Sequence, residues 1–510
     1  MDECPHTERT STAVERRGVP AMLDLTMTIN GAAATSTTWS TVVDPATEEP
    51  VGRVPDCTPE QLDDAMTAAQ NAFPAWAADL EQRRAAMEAC AVALDHAAEE
   101  LGELTTREQG MPLTVAVASA RGAASSFRRY AALELPTETV QNDESALVRI
   151  ERRPVGVVAA IKPWNFPLGM AIGTIAPAFR AGCPVVVKPS PFTPLATLRL
   201  GEILRDHLPP GVLTVVSGGD DLGRAMTSHP VPRAISFTGS VAAGRSVNIA
   251  AAADLKRVLL ELGGNDPAIV LDDVDPATVA ESLFWPTFSN AGQICKAIKR
   301  LYVPESMHEE IVEALAERAR AVRVGRGTEP SVEMGPINNR PQYERVRELV
   351  AEAVDGGATV AAGGTAPDGP GLFFEPTVLT DLADDARIIE EEQFGPALPV
   401  LPYSDVAEAV RKANATNFGL GASVWSNDPL RAAAVATQLE AGTVWVNTHG
   451  PIGSTAPFQG VKSSGLGSAN GIWSVYAFTD IRTVYQARSG ANVYQAPEAV
   501  ATTTELGTEG

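Results

Sequence analysis

The sequence predicts an α/β protein with two lobes, each built on a parallel β-sheet that helices cover on both faces. Short apolar runs without polar alternation recur along the chain, which is typical of strands buried on both faces. Helical patterns separate these runs, and that order predicts parallel strands. The chain has 510 residues, more than one hydrophobic core normally holds, so we expect it to divide.

The first lobe is expected to begin with long helices and to continue with strands. Thr58, Pro59 and Gln61 form a helix-start signature, with threonine at the N-cap, proline at N1 and glutamine at N3. A second long helical pattern covers residues 82–106. The predicted strands of this lobe cover residues 155–161, 184–187, 212–216, 234–237 and 258–260.

The second lobe is expected to follow the glycine pair Gly263-Gly264. Two successive lobes leave a cleft between them, and ligands commonly bind in such clefts. The predicted elements of this lobe are strands at 268–271, 422–425 and 443–446 and helices at 307–322 and 343–354.

An edge hairpin is predicted for residues 135–152. Ala146, Val148 and Ile150 stand at alternate positions there, which is the period of a strand with one apolar face. Because an edge strand leaves backbone groups unpaired, this hairpin offers a pairing surface to another chain.

Composition and charge argue against several classes of protein. The hydrophobic share of 45% and the charged share of 20% are those of a globular protein. The net charge of −23 would repel phosphate backbones and anionic membrane surfaces, so we expect neither nucleic acid nor membrane as a partner. The six histidines show no ligand spacing, so no metal is expected.

Cysteine usage and the chain ends bear on localisation. The five cysteines contain no CxxC pair, which favours the reducing cytoplasm over a disulfide framework. Residues 1–25 lack the apolar region of a secretory signal and are expected to form a flexible extension. We expect residues 491–510 to form a flexible tail.

Cys295 is the candidate nucleophile. It follows a polar, glycine-containing segment, residues 288–294, whereas most unpaired cysteines lie in apolar cores. A reactive thiol needs exposure and a lowered pKa, and the nearby Lys296 and Lys299 would favour the thiolate. The alternative is an inert structural cysteine.

Two further polar residues stand where predicted strands end. Glu261 follows the strand at 258–260, where desolvation would raise its pKa and make it a general base. Asn165 lies in a stiff loop with two prolines, residues 163–167, where a fixed amide would donate to a developing oxyanion. The alternative for Glu261 is an ordinary surface charge.

A glycine-rich turn is the candidate phosphate site. Gly239, Ser240 and Gly244 follow a buried strand and precede a helical pattern, so the backbone could approach a phosphate at a helix N-terminus. Lys188, at the end of the strand at 184–187, is a candidate for a sugar or phosphate contact. An ordinary tight turn and a surface lysine are the alternatives.

These candidates belong to seven segments that occur in one order between residues 42 and 485. The segments are residues 163–167, 188–190, 237–244, 261–264, 288–295, 392–396 and 457–467. Together they resemble the aldehyde dehydrogenase superfamily. Glu261 and Cys295 stand 34 positions apart, the separation typical of that superfamily.

The resemblance implies an NAD(P)-dependent, hydrolytic, non-acylating enzyme that oxidises a small-molecule aldehyde to the carboxylic acid. Cys295 would attack the carbonyl carbon and carry a thioester after hydride transfer. The Asn165 amide and the Cys295 backbone N–H would hold the oxyanion, and Glu261 would activate water. NAD is the expected cofactor. NADP is the alternative, because Pro191 stands where NAD-preferring relatives often have an acidic residue.

The resemblance also assigns cofactor contacts by matching position. Lys188 would contact the adenosine ribose, Ser240 the diphosphate, and Glu392 the nicotinamide ribose, with Phe394 packing nearby. The remaining expected cofactor contacts are Trp164, Ser190, Gly239 and Gly263.

The domain organisation follows from the same resemblance. It implies a Rossmann-like cofactor-binding domain in residues 26–131 and 151–262 and a catalytic domain in residues 263–470. Residues 132–150 and 478–490 would form a small β oligomerisation arm that joins copies into a homodimer or homotetramer.

The chain departs from the family pattern at several positions. Thr174 and Ala469 stand where many relatives have a lysine and a glutamate. Because both charged residues are replaced, neither leaves an unpaired charge buried in the protein. We expect water alone to relay protons from Glu261. Gln459 replaces a glycine, and no consequence is assigned to it. Lys296 either favours an anionic aldehyde or points at solvent or a backbone carbonyl.

Two other functions stay open from the sequence. A CoA-acylating relative would pass the acyl group to CoA, but such enzymes generally lack the basic glutamate, so Glu261 favours hydrolysis. A catalytically silent binding protein on the same fold is the alternative of a different class.

Overall fold

The structure, a computed structural model, describes residues 22–488. Its strands are β1 (Leu23–Asp24), β2 (Met27–Ile29), β3 (Ala32–Ala34), β4 (Trp39–Val43), β5 (Pro50–Pro55), β6 (Glu138–Asn142), β7 (Ala146–Pro154), β8 (Val158–Ile161), β9 (Val185–Lys188), β10 (Leu213–Val215), β11 (Ala234–Thr238), β12 (Arg257–Glu261), β13 (Asp266–Val270), β14 (Ile298–Pro304), β15 (Thr359–Ala362), β16 (Thr377–Thr380), β17 (Ala397–Tyr403), β18 (Gly421–Trp425), β19 (Thr443–Val446), β20 (Gly465–Leu466) and β21 (Thr479–Ala487).

The α-helices are α1 (Pro59–Ala78), α2 (Leu80–His96), α3 (Ala98–Gln109), α4 (Leu113–Ala132), α5 (Pro167–Ala181), α6 (Leu195–Leu204), α7 (Asp220–Ser228), α8 (Val241–Ala252), α9 (Pro276–Phe288), α10 (His308–Ala321), α11 (Arg340–Asp355), α12 (Arg387–Glu390), α13 (Val406–Asn414), α14 (Pro429–Ala436) and α15 (Gly471–Ala477). Between residues 22 and 488, none of them has both the length and the apolar character that crossing a membrane requires.

The first lobe contains an eight-stranded sheet in the order β20-β12-β11-β8-β9-β10-β2-β3. The five predicted strands are β8 to β12, which run parallel to one another. Strands β8, β9 and β10 are buried along their whole length, as their unbroken apolar runs predicted. The chain leaves β8 for β9 and β10 and then crosses back to β11, so the strand order reverses between β8 and β11. Ligands bind at such a switch point, outside the carboxyl ends of the strands.

The helices that precede this sheet confirm one prediction and correct another. Thr58 caps α1 and forms a reciprocal capping box with Gln61, as predicted. The single helix predicted over residues 82–106 is wrong, because α2 and α3 meet at Ala97, where ψ is 2°. Leu94 and Leu101 are buried on either side of Ala97. The helical spacing of apolar residues therefore continues past Ala97, although the helix itself is interrupted there.

The second lobe contains a seven-stranded sheet in the order β15-β16-β17-β14-β13-β18-β19. The predicted strands at 268–271, 422–425 and 443–446 are confirmed as β13, β18 and β19, and the predicted helices as α10 and α11. Helices α9 and α10 cover one face of this sheet through an apolar core of their own. The parallel strands at the centre of both sheets, with the helices around them, confirm the predicted α/β class.

Two predicted boundaries differ from the structure. Strand β20 pairs with β12, so the chain returns to the first sheet before residue 470. Strand β1 pairs with β5, so residues 23–24, placed in the flexible extension by the sequence, lie in a small sheet. Residues 1–21 and 489–510 lie outside the described part of the chain, so the expectations for them stay untested.

A three-stranded sheet, called the arm from here on, has the strand order β21-β7-β6. The hairpin expected at 135–152 is β6 and β7, and all nine residues of β21 pair antiparallel with β7. The apolar side chains of Val140, Ile481 and Tyr485 are exposed on this arm.

Candidate active site

A cavity of about 830 Å³ is lined by both lobes and brings the three predicted catalytic residues together. Glu261 is the last residue of β12, and Asn165 lies in the loop between β8 and α5. Cys295 lies in the second lobe, just before β14. All three line the cavity, although 130 residues separate the first from the last.

The segment before Cys295 has an unusual backbone. Asn290, Ala291 and Gly292 have φ angles of 52°, 53° and 68° in succession, a left-handed conformation that is costly for residues other than glycine. A Cβ at Gly292 would lie 2.2 Å from the Gly395 carbonyl oxygen, so this turn requires glycine. The side chain of Gln293 holds the turn by donating to the Asn290 carbonyl over 2.8 Å.

Asn165 connects the two lobes beside the nucleophile. Its Nδ2 donates to the Gln293 carbonyl over 2.9 Å, and Nδ2 of Asn290 donates to the Asn165 carbonyl over 3.1 Å. The Asn165 side chain is therefore fixed by the segment that carries Cys295. An amide has two N–H groups, so one remains to face the cavity.

Burial dominates the electrostatics of the Cys295 thiol. Burial raises the pKa of Cys295 to about 12, and Lys299 opposes this shift without reversing it. Lys299 thus favours the thiolate, as the sequence analysis expected, but the net pKa shift is upward because desolvation of the charged form outweighs this attraction. Lys299 donates to the carbonyls of Ile294 and Cys295, at 2.8 and 2.7 Å. Lys296 points at a backbone carbonyl, which is one of the two orientations that the sequence analysis left open, and donates to the Gly450 carbonyl.

Glu261 is a buried carboxyl group that faces the cavity. Burial raises the pKa of Glu261 to about 8, and the nearby Lys162 ammonium opposes the shift. Its Oε1 has no hydrogen-bond partner among residues 22–488. With a pKa of about 8 this carboxyl group is mostly protonated at neutral pH, and its carboxylate form is a stronger base than that of an exposed glutamate, which suits proton transfer.

The sequence analysis missed two polar residues, Lys162 and Ser236, that line the cavity together with Glu261. Lys162 follows β8 and is 4% exposed, and its Nζ donates to Ser236 Oγ over 2.8 Å. The Oγ1 of Thr174 lies 3.0 Å from the same Ser236 oxygen. All three line the cavity, and so does Ala469, which confirms that the two departures at 174 and 469 face the same space. A signal existed: Lys162 ends an apolar run, as Lys188 and Glu261 do.

The predicted phosphate and ribose contacts lie at the carboxyl ends of β11 and β9, the strands on either side of β8. Ser240 caps α8 by accepting the Ala243 N–H over 3.2 Å, and Gly239 stands directly before it. Lys188 ends β9, is buried, and donates to the Pro189 carbonyl over 3.3 Å. Burial lowers the pKa of Lys188 to about 8. Ser190 follows and is also buried.

The remaining predicted cofactor residues meet where the lobes join. Glu392 Oε1 accepts the Gly264 N–H over 3.1 Å, and a Cβ at Gly263 would lie 2.1 Å from Glu392 Oε2. Trp164 packs edge to face against Phe394, with ring centroids 5.3 Å apart. Glycine at 263 therefore makes room for the Glu392 carboxylate. The strand ends at the switch point carry a capped helix and a buried lysine, and the second lobe adds this carboxylate; together these groups fit a dinucleotide.

The fold and the cavity define an oxidoreductase of the aldehyde-oxidising class. A model of the aldehyde dehydrogenase family matches residues 32–484, and the chain belongs to that family. It is 39% identical over 462 residues to a phenylacetaldehyde dehydrogenase of Pseudomonas fluorescens, covering 87% of this chain and 91% of that protein. It is 38% identical over 449 residues to a betaine aldehyde dehydrogenase of Cereibacter sphaeroides, covering 87% and 93%.

Solved structures of the family share the fold. An NAD+ complex of the aldehyde dehydrogenase from Bacillus cereus is 34% identical with a TM-score of 0.88, covering 91% of this chain and 96% of that one. An NADP-dependent enzyme of E. coli has the same identity and TM-score, covering 91% and 98%. These likenesses extend over nearly the whole described chain.

Proposed function

We propose that this protein oxidises an aldehyde to the carboxylic acid through a thioester on Cys295, with NAD as cofactor. The observation that carries the proposal is the single cavity onto which Cys295, Glu261 and Asn165 all open. A thiol, a buried base and a fixed amide donor are the groups that acyl transfer to water requires.

The first step is addition of the Cys295 thiol to the aldehyde carbon. Because burial holds the thiol protonated at neutral pH, its proton must pass to a base as the C–S bond forms, and Glu261 is the carboxylate on the same cavity. The free N–H of Asn165 and the backbone N–H of Cys295 hold the oxyanion. Bound NAD supplies the acceptor for the hydride that leaves the carbon.

The second step is hydrolysis of the thioester. Glu261 first passes the proton that it took from the thiol to solvent water, so that it is a carboxylate again. It then takes a proton from a water molecule, the oxygen attacks the acyl carbon, and the C–S bond breaks to release the acid and the Cys295 thiolate. The raised pKa of Glu261 makes it a stronger base than an exposed glutamate. A basic carboxylate at this place favours water over CoA as the acceptor of the acyl group.

Lys188, Ser190, Gly239 and Ser240 would hold the adenosine and diphosphate half of the cofactor. Glu392, with Gly263 beneath it, would hold the nicotinamide ribose, and Trp164 and Phe394 would pack beside it. Pro191 leaves the position after Ser190 without a carboxylate, so we expect NADP to be accepted as well, with NAD preferred.

The test is oxidation of an aldehyde panel with NAD and with NADP, followed at 340 nm. We expect reduced cofactor, an equal amount of carboxylic acid, and a transient acyl group on the peptide that contains Cys295, detected by mass spectrometry after acid quench. Absence of turnover with every aldehyde, or an acyl group on another residue, would contradict the proposal. Acyl-CoA formed on addition of CoA would identify an acylating enzyme instead.

The substrate we propose is a bulky, uncharged aldehyde. A Cβ at Gly122 or Gly173 on the cavity wall would meet no atom within 4 Å, so the wall is open between α4 and α5. The groups on the described wall that can carry a charge are one carboxyl group, Glu261, and three basic groups, Arg129, Lys162 and Lys296. The basic groups would repel a cationic aldehyde. The cavity therefore disfavours betaine aldehyde and favours an uncharged substrate such as phenylacetaldehyde.

Gly173→Leu tests the width of this cavity. The added side chain would occupy the open space, so kcat/KM for phenylacetaldehyde is expected to fall roughly 10-fold or more, while kcat/KM for acetaldehyde changes less than about 2-fold. Acetaldehyde serves as the internal control for folding and chemistry. An equal loss for both aldehydes, or faster turnover of betaine aldehyde than of phenylacetaldehyde by the unaltered protein, would contradict the assignment.

We also propose that copies of the chain pair through the arm and that the protein works in the cytoplasm. The exposed Val140, Ile481 and Tyr485 give the arm an apolar surface that a second copy would cover. Light scattering is expected to give the mass of two or four chains, and the mass of one chain would contradict the pairing. The cysteine pattern supports the cytoplasmic assignment.

A further inference from the structure

Lys162 is a buried amine without an ion pair. It is 4% exposed, and no carboxylate lies within 4 Å of its Nζ among the described residues. Ser236 Oγ is the hydrogen-bond partner of Nζ, and Thr174 holds that hydroxyl from the other side. Burying an amine is costly unless its charge is compensated or its proton is lost, so packing alone does not explain this lysine.

Glu261 and Lys162 share the cavity and influence each other. The Lys162 ammonium pulls the pKa of Glu261 down, while the Glu261 carboxylate pulls the pKa of Lys162 up, and in both groups burial is the larger effect. The pKa of Lys162 falls to about 7, below that of an ordinary lysine. Burial therefore favours the neutral form of each group, and the neutral Lys162 amine has a lone pair that can accept a proton.

The other titratable groups on the cavity do not compete for this proton. The Cys295 sulfur carries the acyl group when Glu261 takes up the proton from water, so it accepts no proton until the C–S bond breaks. Lys296 is engaged with the Gly450 carbonyl, and Arg129 donates to Ser126 over 3.1 Å. Burial lowers the pKa of His449 to about 3, and its Nε2 is engaged with the Lys296 carbonyl.

We propose that Lys162 accepts, through one water molecule in the cavity, the proton that Glu261 takes up during thioester hydrolysis, and that Ser236 and Thr174 position it for this. The inference rests on the proposed function and corrects the expectation that water alone carries the proton away. Nζ and the unpartnered Oε1 of Glu261 are the two polar groups that a bridging water needs.

The step balances in protons and charge. The O–H bond of the Glu261 carboxylic acid breaks and an N–H bond forms on neutral Lys162, with the water passing on one proton and keeping two. The products are a carboxylate and an ammonium, so the base is ready for the next thioester. The ammonium then returns its proton to solvent at the cavity mouth.

The test measures deacylation directly, in the protein without added cofactor. Reaction of p-nitrophenyl acetate with Cys295 should give a burst of p-nitrophenol, followed by a steady rate set by thioester hydrolysis. In Lys162→Met the burst should be unchanged and the steady rate should fall about 10-fold or more. Lys162→Arg keeps a cation that cannot be deprotonated, so its steady rate should fall as well.

The pH profile separates proton transfer from structural damage. The unaltered protein should show two ionisations in the steady rate, and Lys162→Met should show only that of Glu261. Ser236→Ala should lower the steady rate about 3-fold and keep both ionisations. Lys256→Met is the matched control, because Lys256 is also buried in the first lobe but bonds the Thr227 and His229 carbonyls away from the cavity. It should keep the steady rate and the profile.

The outcomes distinguish this inference from the proposed function. A burst in the unaltered protein that Cys295→Ala removes supports the function, and an unchanged steady rate and pH profile in Lys162→Met would then overturn the role of Lys162 alone. If Lys162→Met does not fold by circular dichroism, Lys162→Arg and Ser236→Ala decide the matter, and wild-type steady rates in both would overturn the inference. A missing burst in the unaltered protein would instead overturn the proposed function.

Discussion

Cys295→Ala is expected to abolish aldehyde oxidation, with kcat reduced roughly 10⁴-fold or more. The alanine cannot form the C–S bond, so neither the first adduct nor the thioester exists, and the chemistry loses its covalent route. The fixed segment around residues 290–293 is held by backbone and amide contacts that do not use the thiol, so the variant should fold. The measurement is the rate at 340 nm with the best aldehyde of the panel.

The matched control for that result is Cys57→Ala. Cys57 is also an unpaired, partly buried cysteine, but it does not line the cavity. It should keep kcat and KM within about 2-fold, as a substitution away from special features does. A Cys295→Ala protein that retained more than about a hundredth of the activity would remove the covalent mechanism.

Glu261→Gln is expected to stop the reaction after the thioester, lowering the steady rate about 10²- to 10⁴-fold. Glutamine has nearly the same shape but cannot take a proton from water. The acyl enzyme should accumulate, and mass spectrometry should find close to one acyl group per chain. A variant that turned over at the normal rate, without an acyl group on Cys295, would contradict the role of Glu261 as the base.

The pH dependence of hydrolysis gives the same residue a second test. Because burial raises the pKa of Glu261 to about 8, its carboxylate is the minor form at pH 7. Deacylation in the unaltered protein should therefore rise as the pH climbs through about 8 and should level off above it. Glu261→Gln should lose this rise. The same burial means that the folded state holds the Glu261 proton more tightly than the unfolded state, so the substitution should not destabilise the protein at neutral pH.

Much of the fold could be predicted because burial on both faces leaves a mark on the local sequence. Strand β9 is four residues long, and all of them are buried, so nothing polar interrupts the run before its last residue, Lys188. The break at Ala97 could not be predicted in this way, since its neighbours stay buried and only the backbone turns. The return of β20 to the first sheet was missed because two residues show no period.

The sequence could predict the three candidate catalytic residues that line the cavity, but it could not predict the pKa shifts there. Cys295, Glu261 and Asn165 each stand beside a glycine, a proline or a strand end, and their order along the chain resembled a known family. The net upward shift of the Cys295 pKa could not be predicted, because closeness along the chain says nothing about desolvation. Lys162 was overlooked because the residues that hold its amine in the cavity, Ser236 and Thr174, are 74 and 12 residues away from it along the chain.

The amino-acid sequence by itself determined the class of fold, most strands and helices, and the three residues for which we propose the roles of nucleophile, base and amide donor. Those features depend on local patterns and on residue types that few positions tolerate. Only the tertiary structure decided which charges face one another and how deeply each is buried. Charge states in the cavity depend on distance and solvent exclusion in space, and these arise when β8, β11, β12 and the segment before β14 come together from distant parts of the chain.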